Sequence, residues 1–320
     1  MEKNFIYYPK YIYWELSKHC NLRCKHCFAE AENNINTIVE KNSMFLKIEE
    51  MLQKNEFSVR FGGGEPLLVS YLYDLIAFCE KRKIFTAITT NGMLLDEMVV
   101  NRLYCSGLKE VTISIDGLKD NHDFLRGKGS YETIIGIVKL VLKQKSIKVS
   151  IAFTVTAHNY GEISLFVDEL FSLGIRKFYF FRYCTNSNAE VLELNPMQLY
   201  FASNELLKVS EKYKDAQFIY EGLSFYAFIL SDGEKEIREG CNFLKNIMTI
   251  KYNGDVVVCA AIPKVLGNIF LDDIDTLYNR ISIEKEEICK IPAECRRCKY
   301  KKGCHGGCKS DSYNRYMNYL

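Results

Sequence analysis

Between residues 11 and 182, short runs of β-branched and aromatic residues alternate with amphipathic stretches of helical length, and this alternation constrains the fold more than any other feature. Strands are predicted at Tyr11–Ser17, Phe57–Phe61, Phe85–Thr90, Glu110–Ile115, Ile147–Val155 and Ile175–Arg182. Helices are predicted between them at Ser43–Lys54, Ser70–Arg82, Asp96–Cys105, Ser130–Lys143 and Gly161–Leu173. Six such units in succession imply parallel strands joined by right-handed crossovers. The predicted class is α/β, a partial (β/α)6 TIM-like barrel; an open doubly wound sheet would use the same units. After Arg182 the pattern changes. Asn195–Tyr213 reads as one helix with Pro196 in its first turn. Ile247–Lys251 and Asp255–Cys259 read as strands joined by Tyr252-Asn253-Gly254, a tight-hairpin signal. From Glu284 onward the chain is polar, basic and thiol-rich, and a bound metal cluster would substitute for an apolar core. The expected organisation is a barrel core over 1–185, a helical connector over 186–240 and a small cysteine-rich β-hairpin/loop domain over 241–320.

Of the 320 residues 48% are hydrophobic, enough for a sizeable core. Forty-two basic residues against 40 acidic ones leave a net charge of +2, which gives no support for nucleic-acid or acidic-membrane binding. There is no run of eighteen apolar residues, and Met1 to Lys10 has no signal-peptide core, so a cytoplasmic location is expected. In that reducing setting thirteen cysteines read as metal or cluster ligands before disulfides. Three cluster at Cys20, Cys24 and Cys27; seven more are Cys241, Cys259, Cys289, Cys295, Cys298, Cys304 and Cys308.

Cys20-x3-Cys24-x2-Cys27 follows the first predicted strand. Three thiolates on one loop suit three irons of a [4Fe–4S] cube and leave the fourth iron open, as catalysis requires. A zinc site is the alternative, closed by His19 or His26, since structural zinc takes four ligands. This segment resembles the signature of the radical S-adenosylmethionine (SAM) superfamily, including an aromatic residue, His26, before the third cysteine. Gly63-Gly64-Glu65-Pro66 after the second strand resembles the family's glycine-rich glutamate motif. Thr89-Thr90-Asn91-Gly92 ends the third strand, and Ser114-Ile115-Asp116-Gly117 the fourth, followed by Arg126-Gly127. All fall at the C-terminal ends of strands, where barrels of parallel strands build their sites. The resemblance, over residues 11–185, implies that the SAM amino and carboxylate groups chelate the open iron. Gly63, Gly64 and Glu65 would meet the ammonium, Asn91 would end the adjoining strand beside them, Ser114 and Asp116 would face the ribose and methionine region, Arg126 would offer a fork to the carboxylate, and the backbone at Phe28-Ala29 would lie against the adenine. The implied chemistry is reductive cleavage of SAM to a 5′-deoxyadenosyl radical that removes a hydrogen atom from substrate.

Cys241, Gly254-x4-Cys259 and Cys295-x2-Cys298-x5-Cys304-x3-Cys308 resemble the SPASM extension of these enzymes, which carries auxiliary iron–sulfur clusters; a zinc ribbon is the alternative. The resemblance assigns Cys241, Cys259 and Cys308 to one cluster and Cys295, Cys298 and Cys304 to another, three thiolates each. The family's further cysteine is missing here, and one or two auxiliary clusters are expected. Cys289 is a candidate fourth ligand, ahead of His305 and Asp311. Cys79 and Cys105, on predicted helices, read as ordinary buried residues. Cys184, after the sixth strand, is a packed thiol or a catalytic hydrogen-atom donor at the barrel mouth.

SPASM extensions are common in enzymes that modify ribosomally made peptides, so the leading expectation is a maturase acting on a peptide or protein substrate. An electron donor such as flavodoxin or ferredoxin is expected. Because the first strand begins by Tyr11, a separate leader-peptide-binding protein or a direct docking surface is further expected. An enzyme acting on a small molecule or tetrapyrrole side chain is the second reading, and a non-catalytic iron–sulfur electron carrier or redox sensor the third.

Overall fold

The computed structural model describes residues 8–33, 39–184, 190–223, 247–259, 261–288, 290–304 and 306–310. One sheet of ten strands organises them, in the order β10-β9-β8-β1-β2-β3-β4-β5-β6-β7. The six expected strands are β1 (Tyr11–Glu15), β2 (Ser58–Gly62), β3 (Thr86–Thr90), β4 (Glu110–Ser114), β5 (Lys148–Val155) and β6 (Lys177–Arg182), all parallel to their neighbours. The expected helices are α1 (Lys41–Leu52), α2 (Leu72–Lys81), α3 (Glu97–Cys105), α5 (Ser130–Leu142) and α6 (Ile163–Ser172). β1 stops before Ser17 because the Ser17 hydroxyl accepts from the His19 N–H at 2.6 Å and turns the chain.

Strand alternation divides the side chains between two faces. Ile12, Trp14, Val59, Phe61, Val111, Ile113, Ile151, Phe153, Phe178 and Phe180 are buried with helix residues in one apolar cluster, where the Phe153 and Phe166 rings meet edge-on at 4.7 Å. The alternate positions are polar. Glu110 accepts from Arg60 at 2.8 Å, Lys177 at 2.7 Å and Ser150 at 3.0 Å. Burial alone would raise this carboxyl, but Arg60 and Lys177 outweigh it and hold the pKa at about 2. A doubly wound sheet covers both faces with helices. A face of Arg60, Glu110, Thr112, Ser150 and Lys177 instead fits the interior of a partial barrel.

The sheet continues beyond the six expected units. Residues 186–240, read as a helical connector, contain helix α7 (Pro196–Lys212) but also β7 (Gln217–Glu221), which pairs in parallel with β6. The Asn195 side chain accepts from the Gln198 N–H at 2.9 Å, closing a capping box at the start of α7. The expected hairpin is β8 (Ile247–Ile250) and β9 (Asp255–Cys259), with β10 (Ile262–Asn268) added. β8 runs parallel to β1, so the hairpin extends the barrel sheet. Helix α8 (Ile274–Ile288) buries Ile274, Leu277, Tyr278 and Ile281, giving this region an apolar core before the thiol-rich stretch. No helix among the described residues is long and apolar enough to cross a membrane.

Candidate functional site

The loop after β1 carries Cys20, Cys24 and Cys27 and is anchored on both sides. Against the end of β2, the Gly64 N–H donates to the Ser17 carbonyl at 2.6 Å and the Glu65 N–H to the His19 carbonyl at 2.8 Å. A Cβ on Gly63, at φ +107°, would meet the Ser17 carbonyl at 2.6 Å, and one on Gly64 would run into His19. The glycines therefore seat the cysteine loop itself, a role beyond the cofactor approach inferred from sequence. Against the far side lies helix α4 (Lys119–Arg126), missed in the sequence: the Lys25 N–H donates to the Leu125 carbonyl at 2.9 Å.

Asn91 ties this loop to β3. Its Nδ2 donates to Asn21 Oδ1 at 2.8 Å and stands 3.7 Å from Cys20 Sγ, while its backbone N–H donates to Glu65 at 2.9 Å. Glu65 also accepts from the Thr90 hydroxyl at 2.8 Å and the Leu67 N–H at 3.1 Å. It is buried, and burial pushes its carboxyl up to about 7 against these three donors.

Asp116, after β4, is fully enclosed. Its Oδ1 accepts from the Thr154 N–H at 2.6 Å, and its Oδ2 lies 3.0 Å from His26 Nε2 and accepts from Arg126 Nε. Burial opposes ionisation, but the charges of Arg126 and His26 hold the carboxyl well below the usual range. Arg126 extends over the cysteine loop, with Nη1 at 3.8 Å from Cys24 Sγ and Nη2 at 3.5 Å from His26. Both Asp116 oxygens are thus engaged within the protein, and the Arg126 fork is turned to Asp116 and the thiols. Ser114 closes β4, nearly buried. Sequence reasoning missed two positioning residues. Asn159 Nδ2 donates to the Asp116 and Thr154 carbonyls at 3.1 and 2.8 Å, and His122 Nδ1 accepts from the Asp116 N–H at 3.1 Å. The only local signal was Thr156, whose N–H donates to Asn159 Oδ1 at 2.7 Å in a turn after β5. Phe28 is half-exposed, its ring 5.7 Å from Lys251 Nζ, and lines an open pocket with Glu15, Lys18, Tyr252 and Asp255 beside the hairpin.

The chemistry of this donor set fits an iron–sulfur cluster. The Cys20 and Cys24 thiols feel each other and Cys27 electrostatically, and burial pushes Cys24 up to about 11 although Arg126 pulls it down. Bound iron supplies the positive charge that ionises such thiols outright.

Among the C-terminal thiols, Cys259 is buried at the end of β9, Cys295, Cys304 and Cys308 are half-buried and Cys298 is exposed. Cys304 is raised by burial and by the neighbouring Cys295 and Cys298, while the Gly306 and Gly307 N–H groups oppose this. Those three thiols accordingly lie together. Cys308 Sγ is 3.1 Å from Ser310 Oγ. Of the two helix thiols expected to be buried, Cys79 is buried and Cys105, at the end of α3, is exposed. Cys184, expected at the barrel mouth, has its Sγ 3.3 Å from Arg182 Nη2 and 3.7 Å from the same Ser310 Oγ. Cys241, Cys289, His305 and Asp311 lie outside the described residues.

The sequence profile of the radical SAM superfamily matches residues 14–170, and that of SPASM, an iron–sulfur cluster-binding domain, matches 241–299. An AdoMet-dependent heme synthase of Methanosarcina barkeri (strain Fusaro / DSM 804) is 24% identical over 98% of this chain and 94% of its own. The mycofactocin maturase MftC of Mycobacterium ulcerans (strain Agy99) is also 24% identical, over 95% of this chain and 84% of its own. The crystal structure of Streptococcus suis SuiB bound to S-adenosylmethionine superposes with a TM-score of 0.78 at 22% identity, covering 96% of this chain and 74% of SuiB. The strand-end loops, the donor set and these matches agree: the chain belongs to the radical SAM superfamily, as an enzyme with a SAM-binding [4Fe–4S] cluster and a SPASM-type auxiliary iron–sulfur domain.

Proposed function

We propose that this enzyme removes a hydrogen atom from a peptide or protein side chain and so oxidises or cross-links it. When bound, the cluster supplies the electron that cleaves SAM to a 5′-deoxyadenosyl radical. Cys20, Cys24 and Cys27 hold the cluster, and the Gly63–Glu65 turn with the Glu65 carboxylate receives the SAM ammonium. Arg126 offsets thiolate charge, and Asp116 positions Arg126 and His26. Ser114 is left to meet the ribose, and the backbone at Phe28 to meet the adenine. The observation that carries the chemistry is a three-thiol loop bonded directly to the Gly64–Glu65 turn and linked by Asn91 to β3. The likeness to MftC over nearly the whole chain supports the peptide, as does the fold shared with SuiB, which has also been solved bound to its precursor peptide SuiA. A flavodoxin or ferredoxin is the proposed electron source.

A tetrapyrrole side chain is the second reading, favoured by the M. barkeri heme synthase, which matches over 98% of the chain. The test is anaerobic incubation of cluster-loaded protein with SAM and dithionite, alone, with a small peptide encoded beside the gene, and with iron-coproporphyrin. Release of 5′-deoxyadenosine and a mass loss of hydrogen from the peptide are expected, and neither with the Cys20/Cys24/Cys27→Ala variant. Stimulation by the porphyrin alone would transfer the assignment to tetrapyrroles. No 5′-deoxyadenosine above background would overturn both.

A further inference from the structure

Side chains of β7 alternate between two faces. The Phe218 ring stacks on Phe178 at 5.4 Å, and the Tyr220 hydroxyl donates to the Leu206 carbonyl on α7 at 3.1 Å, so these two face the helices. Glu221, the last residue of the strand, therefore faces the barrel interior. The sheet register fixes its level: Thr154 pairs with Phe181, and Phe181 with Glu221. Thr154 is the residue whose N–H donates to Asp116. With strands about 4.8 Å apart, the Glu221 backbone stands about 10 Å from that of Thr154, at the level of the strand-end site. The acids of the other strands meet cations of the protein: Glu15 meets Lys251 at 2.9 Å, Glu110 meets Arg60 and Lys177, and Asp116 meets Arg126. Glu221 has no hydrogen-bond or ion-pair partner among the described residues, and burial alone pushes its carboxyl up to about 6. The Arg182 guanidinium, beside Gly222, is turned to Cys184 and Ser310 instead. On the same interior face Phe181 is half-buried, its ring stacked on Tyr179 at 6.2 Å. An aromatic wall that ends at an unpaired carboxylate suits a long cation, with its stem along the rings and its charge at the acid. The free chain bears the cost of the unpartnered acid, and an arriving cation relieves it.

We propose that Glu221 is a specificity-determining residue, which receives the amine or guanidinium of a lysine or arginine side chain of the peptide substrate. The contact is an ion pair, and no proton or electron is transferred in it. The inference rests on the peptide reading of the function and narrows it to a substrate that brings a cation into the barrel. A tetrapyrrole propionate, being an anion, would be repelled from the same position.

The experiment uses the cluster-loaded full chain, kept anaerobic with SAM, and the small peptide encoded beside the gene. Fluorescence anisotropy measures binding of the labelled peptide to wild type, Glu221→Gln and Glu221→Lys. The same is done with peptides in which each lysine and arginine in turn is replaced by glutamine. Glu221→Gln should weaken binding of the parent peptide at least tenfold, and Glu221→Lys more. At one peptide position the glutamine replacement should weaken wild-type binding to the same extent and cost nothing further in Glu221→Gln. Glutamate at that position should restore binding to Glu221→Lys. Thermal denaturation at pH 8 without peptide separates recognition from a structural role. There Glu221→Gln should melt at or above the wild-type temperature, because above about 6 it removes an unpaired charge. Parent-peptide binding unchanged in both variants, losses that add at every peptide position, or a Glu221→Gln protein that melts lower and loses iron would each overturn the proposal. If wild type oxidises the peptide and Glu221→Gln does so with the same KM, the inference falls while the peptide reading stands. If wild type neither binds nor oxidises the peptide, the peptide reading fails first, and the inference with it.

Discussion

Replacing Glu65 by glutamine tests whether the carboxyl under the cysteine loop is held for a cation. In the folded chain burial raises this group from its ordinary 4.5 to about 7. At about 1.36 kcal/mol per pKa unit, keeping it ionised costs about 3 kcal/mol. The sign follows from linkage: a raised carboxyl contributes stability that is fully present below 4.5 and lost as pH rises through about 7. Glutamine does not titrate. It loses one of the hydrogen bonds from Leu67, Thr90 and Asn91, at about 1 kcal/mol. Glu65→Gln should therefore be close to wild type near pH 5 and about 2 kcal/mol more stable near pH 9, in SAM-free protein. Anaerobic urea denaturation at the two pH values measures this. SAM binding should weaken at least tenfold, about 1.4 kcal/mol, because the ammonium loses its counter-charge. A variant destabilised equally at both pH values, with SAM affinity intact, would refute the reasoning.

Gly64→Ala should cost about 1–3 kcal/mol, because the added methyl meets the His19 carbonyl and lifts the cysteine loop; thermal denaturation and iron content should fall together. Asp116→Asn should cost about 3–5 kcal/mol, since it leaves the Arg126 charge buried beside Cys24 without its partner. The Asp116 carboxyl is depressed in the fold, so its contribution is present above the ordinary carboxylate pKa and lost as pH falls toward the depressed folded value. The deficit of the Asp116→Asn variant, measured by urea denaturation, should accordingly shrink in acid.

The strand-end motifs were legible because period-two alternation marks each strand and a parallel sheet must present every C-terminal end on one side. That argument puts Gly63, Asn91 and Ser114 at or beside strand ends, while their roles, and Arg126 altogether, come only from the family resemblance. Their partners were not legible. Asp116 meets His26 and Arg126 across loops 90 and 10 positions away, and no local pattern encodes which oxygen each will take. Helix α4 was missed because its eight residues bury only His122 and Leu125, too few for helical periodicity to register. β7 was missed because Gln217–Glu221 is short and only half-buried, and acquires its role by pairing with β6 across helix α7. Cys184 and Cys308 illustrate the limit most sharply: each was visible as a thiol, and only the fold makes them neighbours.

The same electrostatics separates the acids that hold the barrel from those that serve the site. Glu110 is buried on the polar face, yet Arg60 and Lys177 bring its pKa down to about 2; its charge is balanced within the protein, as in a structural ion network. Glu65, at the strand ends, accepts from the neutral donors of Leu67, Thr90 and Asn91 and sits at about 7; Cys24 sits at about 11 even with Arg126 in reach. Perturbed groups of one sign, gathered where loops from successive strands converge, mark a place built to receive positive charge. Iron at the thiols and an ammonium at Glu65 are two cations of that kind, supplied to neighbouring positions by one cluster and one cofactor. The Asp116–Arg126 pair beside the thiols is neutral in sum. It can lie against the thiolates without cancelling the attraction for iron: Arg126 Nη1 stands 3.8 Å from Cys24 Sγ and lowers that thiol, while the Asp116 charge raises it.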